Sequence, residues 1–366
     1  MSSEFSIQPI ESQWVQTLIH GYSHFPLHKT HLKTGKQFFC TVRGAVAYEM
    51  HLGQFVVAGD PLVFERKDAD RLVKDFVSWA HSLGVSVCGY YFSQDLAFRL
   101  STEFSSYHAG VSHFIDLKNF TWSGYRKRDV RRALNQGQRG RLIFGEIPKA
   151  EKRKWQPFVD NLICRWKKKR SGPTIQFLLS APKWQYPGAD EERWFIVTDS
   201  EGKKIHAMVS TFSYATTEGR GIYVDHLVQD PSGNRFALDF LLVQLSIQMQ
   251  REAVSEMSLG LSAFKNLSGT RPVDRLLRFI GKRERIYNSQ GIYRFKRKFS
   301  TTERPRFLLL DRKRGAVLQL AALIKATYPQ AFNFRFWEKA DHPFQLKCPR
   351  QWRPKFLQHQ NPAYRN

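Results

Sequence analysis

The period of the apolar positions changes several times along the first half of the chain, and each change marks a predicted element. Runs rich in aromatic and β-branched residues, separated by Gly44 and Gly53, predict antiparallel strands. Apolar residues at helical spacing that end at Gly84 predict an amphipathic helix. The predicted elements are strands within 37–62, a helix at 67–84, a strand at 85–92 and a helical segment at 95–104.

The second half repeats this order after a linking helix. That helix covers residues 150–172, with apolar residues on one side and a basic end at Lys167, Lys168 and Lys169. Three strand patterns, a helix and a fourth strand follow it, at 194–197, 205–214, 221–228, 235–251 and 256–261. The alternation predicts an α/β (α+β) layer fold in two copies. We expect domains at 1–148 and 173–310, a linker at 149–172 and an extension at 311–366.

A short, strongly basic helix is predicted between the two halves. Ser123 is a candidate N-cap and Gly137 a candidate end, and five cations lie between them: Arg126, Lys127, Arg128, Arg131 and Arg132. Cations at this density are not expected in a core. The helix is therefore either a solvated face or a surface that binds phosphates, as Lys167 to Lys169 would also do.

The composition of the chain favours a polyanionic partner. It has 366 residues, with 57 Lys and Arg against 32 Asp and Glu, a formal net charge of +25. Its 42% hydrophobic and 14% aromatic residues provide a core, which excludes a disordered basic tail. Nucleic acid or an anionic lipid surface would suit this charge. A generally basic protein without such a partner is the alternative.

Metal, disulfide and membrane-spanning signals are weak. Cys40, Cys88, Cys164 and Cys348 lie far apart, so we expect reduced thiols in a cytoplasmic protein. The histidines between 20 and 31 do not have a recognised ligand spacing, and we expect no metal and no cofactor. Neither a signal peptide nor a run of about 18 apolar residues is present, so any membrane contact would be peripheral.

Six motifs in order give the chain a family resemblance. They are Gly59-Asp-Pro61, the basic segment 123–135, Tyr223-Val-Asp225, Leu238-Asp-Phe-Leu241, Leu259-Gly-Leu261 and Tyr287–Phe299, before a closing strand at Arg304-Pro-Arg-Phe. Together they resemble the C-terminal catalytic domain of phosphatidylglycerol lysyltransferases, the multiple-peptide-resistance family. The resemblance implies tandem GNAT-type acyltransferase domains with mixed central sheets. It also implies transfer of an aminoacyl group from tRNA to a hydroxyl or amine.

The same motifs provide the candidate site residues. An aminoacyl-tRNA is an activated ester, so the site has to orient an acceptor, take its proton and stabilise an oxyanion. We expect Asp225 to bind the α-amino group or orient the acceptor, and Lys296 or Lys298 to stabilise charge or move a proton. If these lysines lie on one strand, they share a face. On a regular strand, His226 would face away from Asp225. The expected substrate-binding residues are Asp239, Gly260, Asn288 and Tyr293.

The acceptor stays open at this stage. Val228 stands where the family carries an arginine, three residues after Asp225, which leaves a soluble small molecule as the alternative to a lipid such as phosphatidylglycerol. The aromatic and basic stretch from Phe332 to Lys355 suits an anionic membrane surface or stacking on tRNA, with a packed C-terminal extension as the alternative. For the acceptor it favours docking on an anionic membrane, at the inner face. Acyl-CoA ranks low because the Gln229–Arg235 turn lacks the usual glycine spacing. A non-catalytic nucleic-acid-binding protein would not explain the ordered motifs.

Overall fold

A computed structural model describes residues 5–9, 12–33, 36–123, 127–169, 186, 188–282 and 288–328. Within them, thirteen strands form one mixed sheet. The strands are β1 Ser6–Pro9, β2 Gln37–Thr41, β3 Gly44–His51, β4 Gln54–Ala58, β5 Leu62–Val63, β6 Ser86–Ser93, β7 Phe104–Asp116, β8 Ile143–Ile147, β9 Arg193–Thr198, β10 Ile205–Thr216, β11 Gly219–Gln229, β12 Glu256–Ala263 and β13 Thr302–Asp311. Their order is β1-β2-β3-β4-β6-β13-β7-β12-β11-β10-β9-β8, with β5 beside β3.

Helices cover both faces of this sheet. The α-helices are α1 Gln13–Gly21, α2 Ala69–Ser82, α3 Gln94–Arg99, α4 Arg128–Arg139, α5 Lys152–Lys169, α6 Ala237–Arg251, α7 Pro272–Gly281, α8 Ser289–Phe299 and α9 Ala316–Thr327. Short 3₁₀ helices cover His28–Lys33, Arg66–Asp68, Lys149–Glu151 and Ala189–Glu191. The mixed α/β architecture confirms the predicted fold class.

One unit of topology occurs twice, as the sequence predicted. In the first half β2, β3 and β4 are antiparallel neighbours, and α2 then leads to β6, which is parallel to β4. In the second half β9, β10 and β11 are antiparallel, and α6 leads to β12, which is parallel to β11. Three antiparallel strands, a helix and a parallel strand are the expected GNAT-type order.

The two halves exchange their last strands. Strand β7 comes from the first half but pairs with β12, and β13 comes from the second half but pairs with β6. The two exchanged strands also pair with each other, over the whole of β13 and from Phe104 to Phe114 of β7. In addition, β8 pairs with β9. One sheet therefore runs through both halves, and the domain boundaries proposed from the sequence stay a prediction.

Each half has its own core around its crossover helix. Helix α2 packs through Leu72, Val73 and Phe76 with residues of β3, β4 and β6. Helix α6 packs through Phe240, Leu242 and other apolar residues against β9 to β12 and α4. The glycine predicted to end the basic helix, Gly137, instead lies inside α4. A Cβ there would approach Phe240 Cδ2 to 2.3 Å, so the glycine is needed for helix packing. The prediction of a helix end at Gly137 was therefore wrong.

No helix among the described residues is long and apolar enough to cross a membrane. Helix α9 packs on β4 and β6 in a separate cluster with α7. Several positions named from the sequence lie outside the described residues, among them Tyr287 and residues 170–172 of the linking helix. The same holds for residues 124–126, including Arg126, for Cys348 and for the stretch from Phe332 to Lys355.

Candidate active site

The parallel strands β11 and β12 diverge at the centre of the second half. They pair only from Gly221 to Tyr223, and beyond Tyr223 no pairing joins them in the described chain. A bulge in β12 next to Gly260, which has φ +76°, adds to the divergence. A splayed parallel pair leaves backbone groups facing a cleft. Gly260, expected to bind substrate, lies at this cleft.

Lys296 reaches the cleft from α8. The segment that was read as a possible strand is a helix, capped by Asn288, whose Oδ1 accepts a hydrogen bond of 2.8 Å from the Gly291 N–H. The strand reading was wrong because the apolar residues follow the helical period once the cap is in place. The Asn288 side chain is therefore committed to the cap. Lys296 Nζ donates to the Leu261 carbonyl at 2.9 Å.

The environment of Lys296 favours its neutral form. Burial lowers the pKa of its ammonium to about 7. Lys296 Nζ and the Tyr223 hydroxyl lie 3.5 and 3.4 Å from the position that a Cβ on Gly260 would take. A side chain at position 260 would fill the space between them. An amine with a pKa near neutral that lies close to a phenol is suited to move a proton.

Lys298 does not lie with Lys296 beside Gly260 and Tyr223. Residues two apart on a helix point about 200° away from each other, so the two lysines cannot act on one face. Lys298 Nζ donates to Asp239 Oδ2 at 2.6 Å and thereby joins α8 to α6. The structure thus pairs two expected site residues, Lys298 and Asp239, with each other and away from Lys296. The expectation of a shared face was wrong.

Asp225 is the centre of a buried ionic cluster. Lys33, from the 3₁₀ helix near the N-terminus, lies 2.8 Å from Asp225 Oδ2 and 2.7 Å from Glu192 Oε1. The side chains of Lys33 and Asp225 are fully buried. The Tyr186 hydroxyl donates to Glu192 Oε2 at 2.6 Å. Burial acts to raise the pKa of Asp225, but the charge and the hydrogen bond of Lys33 act against it and the net shift is downward, so this carboxylate stays ionised.

A bulge explains why His226 lies beside Asp225. Ser210 of β10 pairs with His226 and Thr211 with Val224, so Asp225 is an extra residue on β11. The regular alternation is lost, and His226 Nε2 lies 3.2 Å from Asp225 Oδ2. The expectation that the two side chains face opposite ways was wrong. Burial lowers the pKa of His226, which keeps it neutral.

Among the described residues, the cluster has one hydrogen-bond acceptor without a donor and one formal negative charge in excess. Asp225 Oδ1 is buried and has no hydrogen-bond partner in the described structure. Among the described residues, Lys33 is the one lysine at ion-pair distance from these two carboxylates, which formally leaves one negative charge in excess among the three groups. The Lys152 ammonium contacts Glu192 at its main-chain carbonyl. Buried orphan acceptors are rare and costly. A ligand with a positively charged N–H group would donate a hydrogen bond to Asp225 Oδ1 and balance the excess negative charge.

The cluster is not arranged for a metal ion. The ligand atoms of Glu192, Asp225 and His226 lie within 4.8 Å of one another. The ammonium of Lys33, however, already lies between the two carboxylates. A divalent cation would have to displace this buried lysine, and we assign the cation position to Lys33.

His113 and Tyr293 line the side of the cleft nearest α8. His113 Nε2 lies 2.9 Å from Ser262 Oγ, and its ring lies 5.4 Å from that of Tyr293. Burial and the neighbouring Lys296 lower the pKa of His113 to about 3, so this imidazole is neutral. The Tyr293 hydroxyl donates to Glu303 Oε2 at 3.4 Å. Tyr293, expected to bind substrate, thus contacts the wall of the site.

The basic residues divide into structural and surface groups. Lys127 Nζ donates to the carbonyls of Lys298 and Phe299 at 2.9 and 2.8 Å, which caps the C-terminus of α8. Burial lowers its pKa to about 8. Arg131 donates to the Trp122 carbonyl at 2.8 Å. The remaining described cations of the two basic runs are exposed: Arg128, Arg132, Lys167, Lys168 and Lys169.

The turn before α6 is not prepared for a pyrophosphate. The Ser232 N–H donates to Asp230 Oδ1, the Asn234 N–H to His206 Nδ1 and the Phe236 N–H to Asn234 Oδ1. The Gly233 and Ala237 N–H groups donate to carbonyls of the same turn. An acyl-CoA site needs such groups free at the helix N-terminus. These hydrogen bonds agree with the expectation from the sequence that acyl-CoA is a less favoured donor than aminoacyl-tRNA.

Sequence reasoning missed several residues of the site. Lys33 and Glu192 were not proposed, and Tyr223 was quoted only as part of a motif. The first two carry no local signal, because their partners are remote: Lys33 and Asp225 are 192 positions apart.

Comparison with known proteins places this geometry in a family. The family model described as "Phosphatidylglycerol lysyltransferase, C-terminal" matches residues 22–310. A protein named phosphatidylglycerol lysyltransferase from Staphylococcus epidermidis is 23% identical over 286 residues, 73% of this chain. The chain spans 31% of the length of that relative.

Solved structures agree on the fold. The C-terminal domain of a putative lysylphosphatidylglycerol synthetase from Agrobacterium fabrum superposes with a TM-score of 0.72 at 20% identity, covering 85% of this chain and 96% of that one. The structure of L-PGS from Bacillus licheniformis has a TM-score of 0.71 at 16% identity, covering 88% and 98%. At these identities the likeness shows the fold alone.

Proposed function

The chain belongs to the phosphatidylglycerol lysyltransferase C-terminal family, and we propose that it transfers an amino acid from aminoacyl-tRNA to a lipid hydroxyl. The observation that carries the proposal is Asp225 Oδ1, which has no hydrogen-bond partner in the described structure and lies in a cluster with excess negative charge. The α-ammonium of an esterified amino acid supplies both the donor and the charge. Neither an acetyl group nor a bare nucleic acid offers such a cation.

Lys296 then performs the proton transfer. The acceptor hydroxyl attacks the ester carbonyl, a new C–O bond forms and the bond to the terminal ribose oxygen breaks. Neutral Lys296 takes the hydroxyl proton and gives it to the leaving ribose oxygen, a role that its pKa of about 7 suits. The Tyr223 hydroxyl borders the same space and is a donor for the oxyanion. The donor ester is already activated, so the step needs no nucleoside triphosphate.

The exposed basic residues supply the contact with tRNA in this proposal. Lys167, Lys168 and Lys169 end α5 in a solvated cationic run, and Arg128 and Arg132 lie on the exposed face of α4. Phosphate contacts of this kind position a nucleic acid without reading its sequence. Lys127 is not part of this surface, because its ammonium caps α8.

A second surface supports a lipid acceptor. Helix α7 exposes Leu276 and Phe279, and the exposed Arg275, Arg278 and Lys282 flank them. Aromatic and basic side chains on one helix face suit an anionic bilayer. Helix α7 precedes the catalytic helix α8 in the chain. The Ser289 hydroxyl at the start of α8 donates to the Gly281 carbonyl at the end of α7, so a bilayer docked on α7 would lie next to a helix that contacts α8.

The test follows a labelled amino acid from tRNA to its acceptor. The protein is incubated with single radiolabelled aminoacyl-tRNAs, phosphatidylglycerol vesicles and a low-molecular-weight cell extract. We expect one aminoacyl-tRNA to lose its label faster than by spontaneous hydrolysis, with the label entering the lipid phase. Label in a new aqueous product would favour the soluble-acceptor alternative.

Two variants check the site assignment in the same assay. Asp225→Asn should lower transfer by about a hundredfold or more, because it removes the charge that binds the ammonium. Asp190→Asn, at an exposed ion pair with Lys149, is the matched control and should be unchanged. The proposal is wrong if no aminoacyl-tRNA is consumed, and the site is wrong if Asp225→Asn is fully active.

A further inference from the structure

Arg306 is a buried cation on the exchanged strand β13. Its side chain lies within an aromatic box, with the guanidinium carbon 4.9 Å from the Phe25 ring, 5.0 Å from Tyr91 and 6.0 Å from Phe114. The residue is only 4% exposed. A buried arginine normally has a carboxylate or a full set of acceptors, because its desolvation is costly.

Arg306 has very few of these partners. Its Nε donates to Ser112 Oγ at 3.0 Å, and the described structure gives its two terminal NH₂ groups no acceptor and no carboxylate at ion-pair distance. Asp60 is an acid close enough to interact with it electrostatically. The Asp60 carboxylate, however, accepts a hydrogen bond from the Ser93 N–H, and burial raises its pKa. Within the described part of the chain, the planar fork of the guanidinium therefore remains available for a ligand.

Two phenols extend this set of free donors. Tyr91 has φ +77°, which is unusual for a bulky residue and holds its ring beside Arg306. Its oxygen accepts from Ser112 Oγ at 2.7 Å, and the described chain offers no acceptor for its own proton. The Tyr223 hydroxyl likewise has no described partner, and Tyr223 packs in one cluster with Tyr91.

The strand register places these donors next to the cleft. Ser112 of β7, which bonds both Arg306 and Tyr91, is paired with Leu261 of β12. The carbonyl of that same Leu261 accepts from Lys296. The site therefore has an acceptor-rich end at Asp225 and a donor-rich end at Arg306, with Lys296 reaching the cleft between β11 and β12.

We propose that Arg306 and Tyr91 form a subsite for the phosphodiester monoanion of a substrate. This inference rests on the proposed function and adds to it the charge class bound at the second end of the site. One guanidinium matches the single charge of a phosphodiester, and its fork engages two oxygens at once. The lipid head group and the terminal internucleotide linkage of tRNA both carry this chemistry.

Two small phosphodiesters test the subsite by titration calorimetry. The probes are glycerophosphoglycerol, the lipid head group without acyl chains, and cytidylyl-adenosine, the end of tRNA. Wild type should bind one of them, and Arg306→Gln should weaken that binding at least tenfold. Arg304→Gln, two residues away on the same strand and paired with Glu256, is the matched control and should bind normally. The probe that responds identifies the source of the phosphate.

Milder variants protect the test against misfolding. Arg306→Lys keeps the charge but loses the fork, and Tyr91→Phe keeps the ring but loses the hydroxyl, so both should weaken binding several-fold with an unchanged melting temperature. Binding of both probes that is equal in wild type and all three variants, or absent throughout, overturns the inference. If the probes bind through Arg306 but no amino acid is transferred, only the proposed function fails.

Discussion

At the scale of single residues, burial of Lys296 lowers both the stability of the folded protein at neutral pH and the pKa of the amine. Its folded pKa is about 7, against 10.5 for a free lysine, because the ammonium is desolvated. The unfolded chain binds a proton that the folded chain lacks between these two values. Unfolding therefore takes up a proton in this window, and the free energy of unfolding rises with pH from about 7 to about 10.5.

This rise in the free energy of unfolding with pH leads to a prediction for variants of Lys296. Lys296→Met should be more stable than wild type at pH 7, and the contribution of this group to the rise of stability with pH should vanish. Wild-type kcat should rise with pH through about 7, as the base becomes neutral, while the variant is inactive. Urea unfolding at pH 6.5, 8 and 9.5 measures the first effect, and initial rates measure the second.

Lys296→Arg is the matched control for this experiment. It keeps a long cationic side chain that does not lose its proton, so it should be inactive without the gain in stability. A Lys296→Met variant that is less stable than wild type at pH 7 would show that the ammonium is not desolvated. Transfer by either variant at the wild-type rate would remove the proton-transfer role.

The sequence allowed part of this site to be predicted, for physical reasons. Asp225, Gly260 and Lys296 lie in local motifs whose residue types already suggest chemistry. Lys33, Glu192 and Arg306 act only through partners far away in the chain, and no local pattern identifies a lysine as the counter-ion of a remote aspartate. The bulge at Asp225 also could not be read from the alternation that it interrupts.

At the scale of elements, α4 and α8 form one unit. Lys127 at the start of α4 donates to the last carbonyls of α8, which other helices leave to water or to a glycine cap. The basic segment was predicted as a single phosphate-binding or solvated face. The structure instead divides it, because one of its lysines supports the helix that carries Lys296.

We expect Lys127→Met to change the stability of the protein and Arg132→Met to change the salt dependence of tRNA binding. Lys127 donates to two terminal carbonyls of α8, whereas Lys296 donates to one carbonyl, so the loss of Lys127 should still cost about 1 to 3 kcal/mol of stability despite its burial. Transfer should fall, with no change in the salt dependence of tRNA binding. Arg132 is exposed, so its loss should leave stability unchanged and flatten the salt dependence. Thermal melts and filter binding at several salt concentrations measure both. The reverse pattern would mean that Lys127 binds phosphate.

At the scale of the whole molecule, the strand exchange binds the two halves together. The repeated order of elements was visible in the sequence, because hydrophobic period and glycine turns are local. The partners of β7 and β13 were not, since two compatible strands of similar composition leave the choice to topology. The buried pair of Lys33 with Asp225 adds a second link between the N-terminal segment and the second half.

The exchange predicts that neither half folds alone. A chain cut in the connection between β7 and α4, near residue 120, leaves β6 without β13 and β12 without β7. Each fragment then exposes the edge of a central apolar strand, which destabilises it and promotes aggregation. Separately, residues 1–120 and 121–328 should lack a cooperative thermal transition and dispersed amide resonances. Co-expressed, they should assemble into a one-to-one complex that melts as one unit, with the uncut chain as control. A first fragment that folds by itself would mean that β7 has turned back to pair with β6, and that the exchange is not needed for the fold.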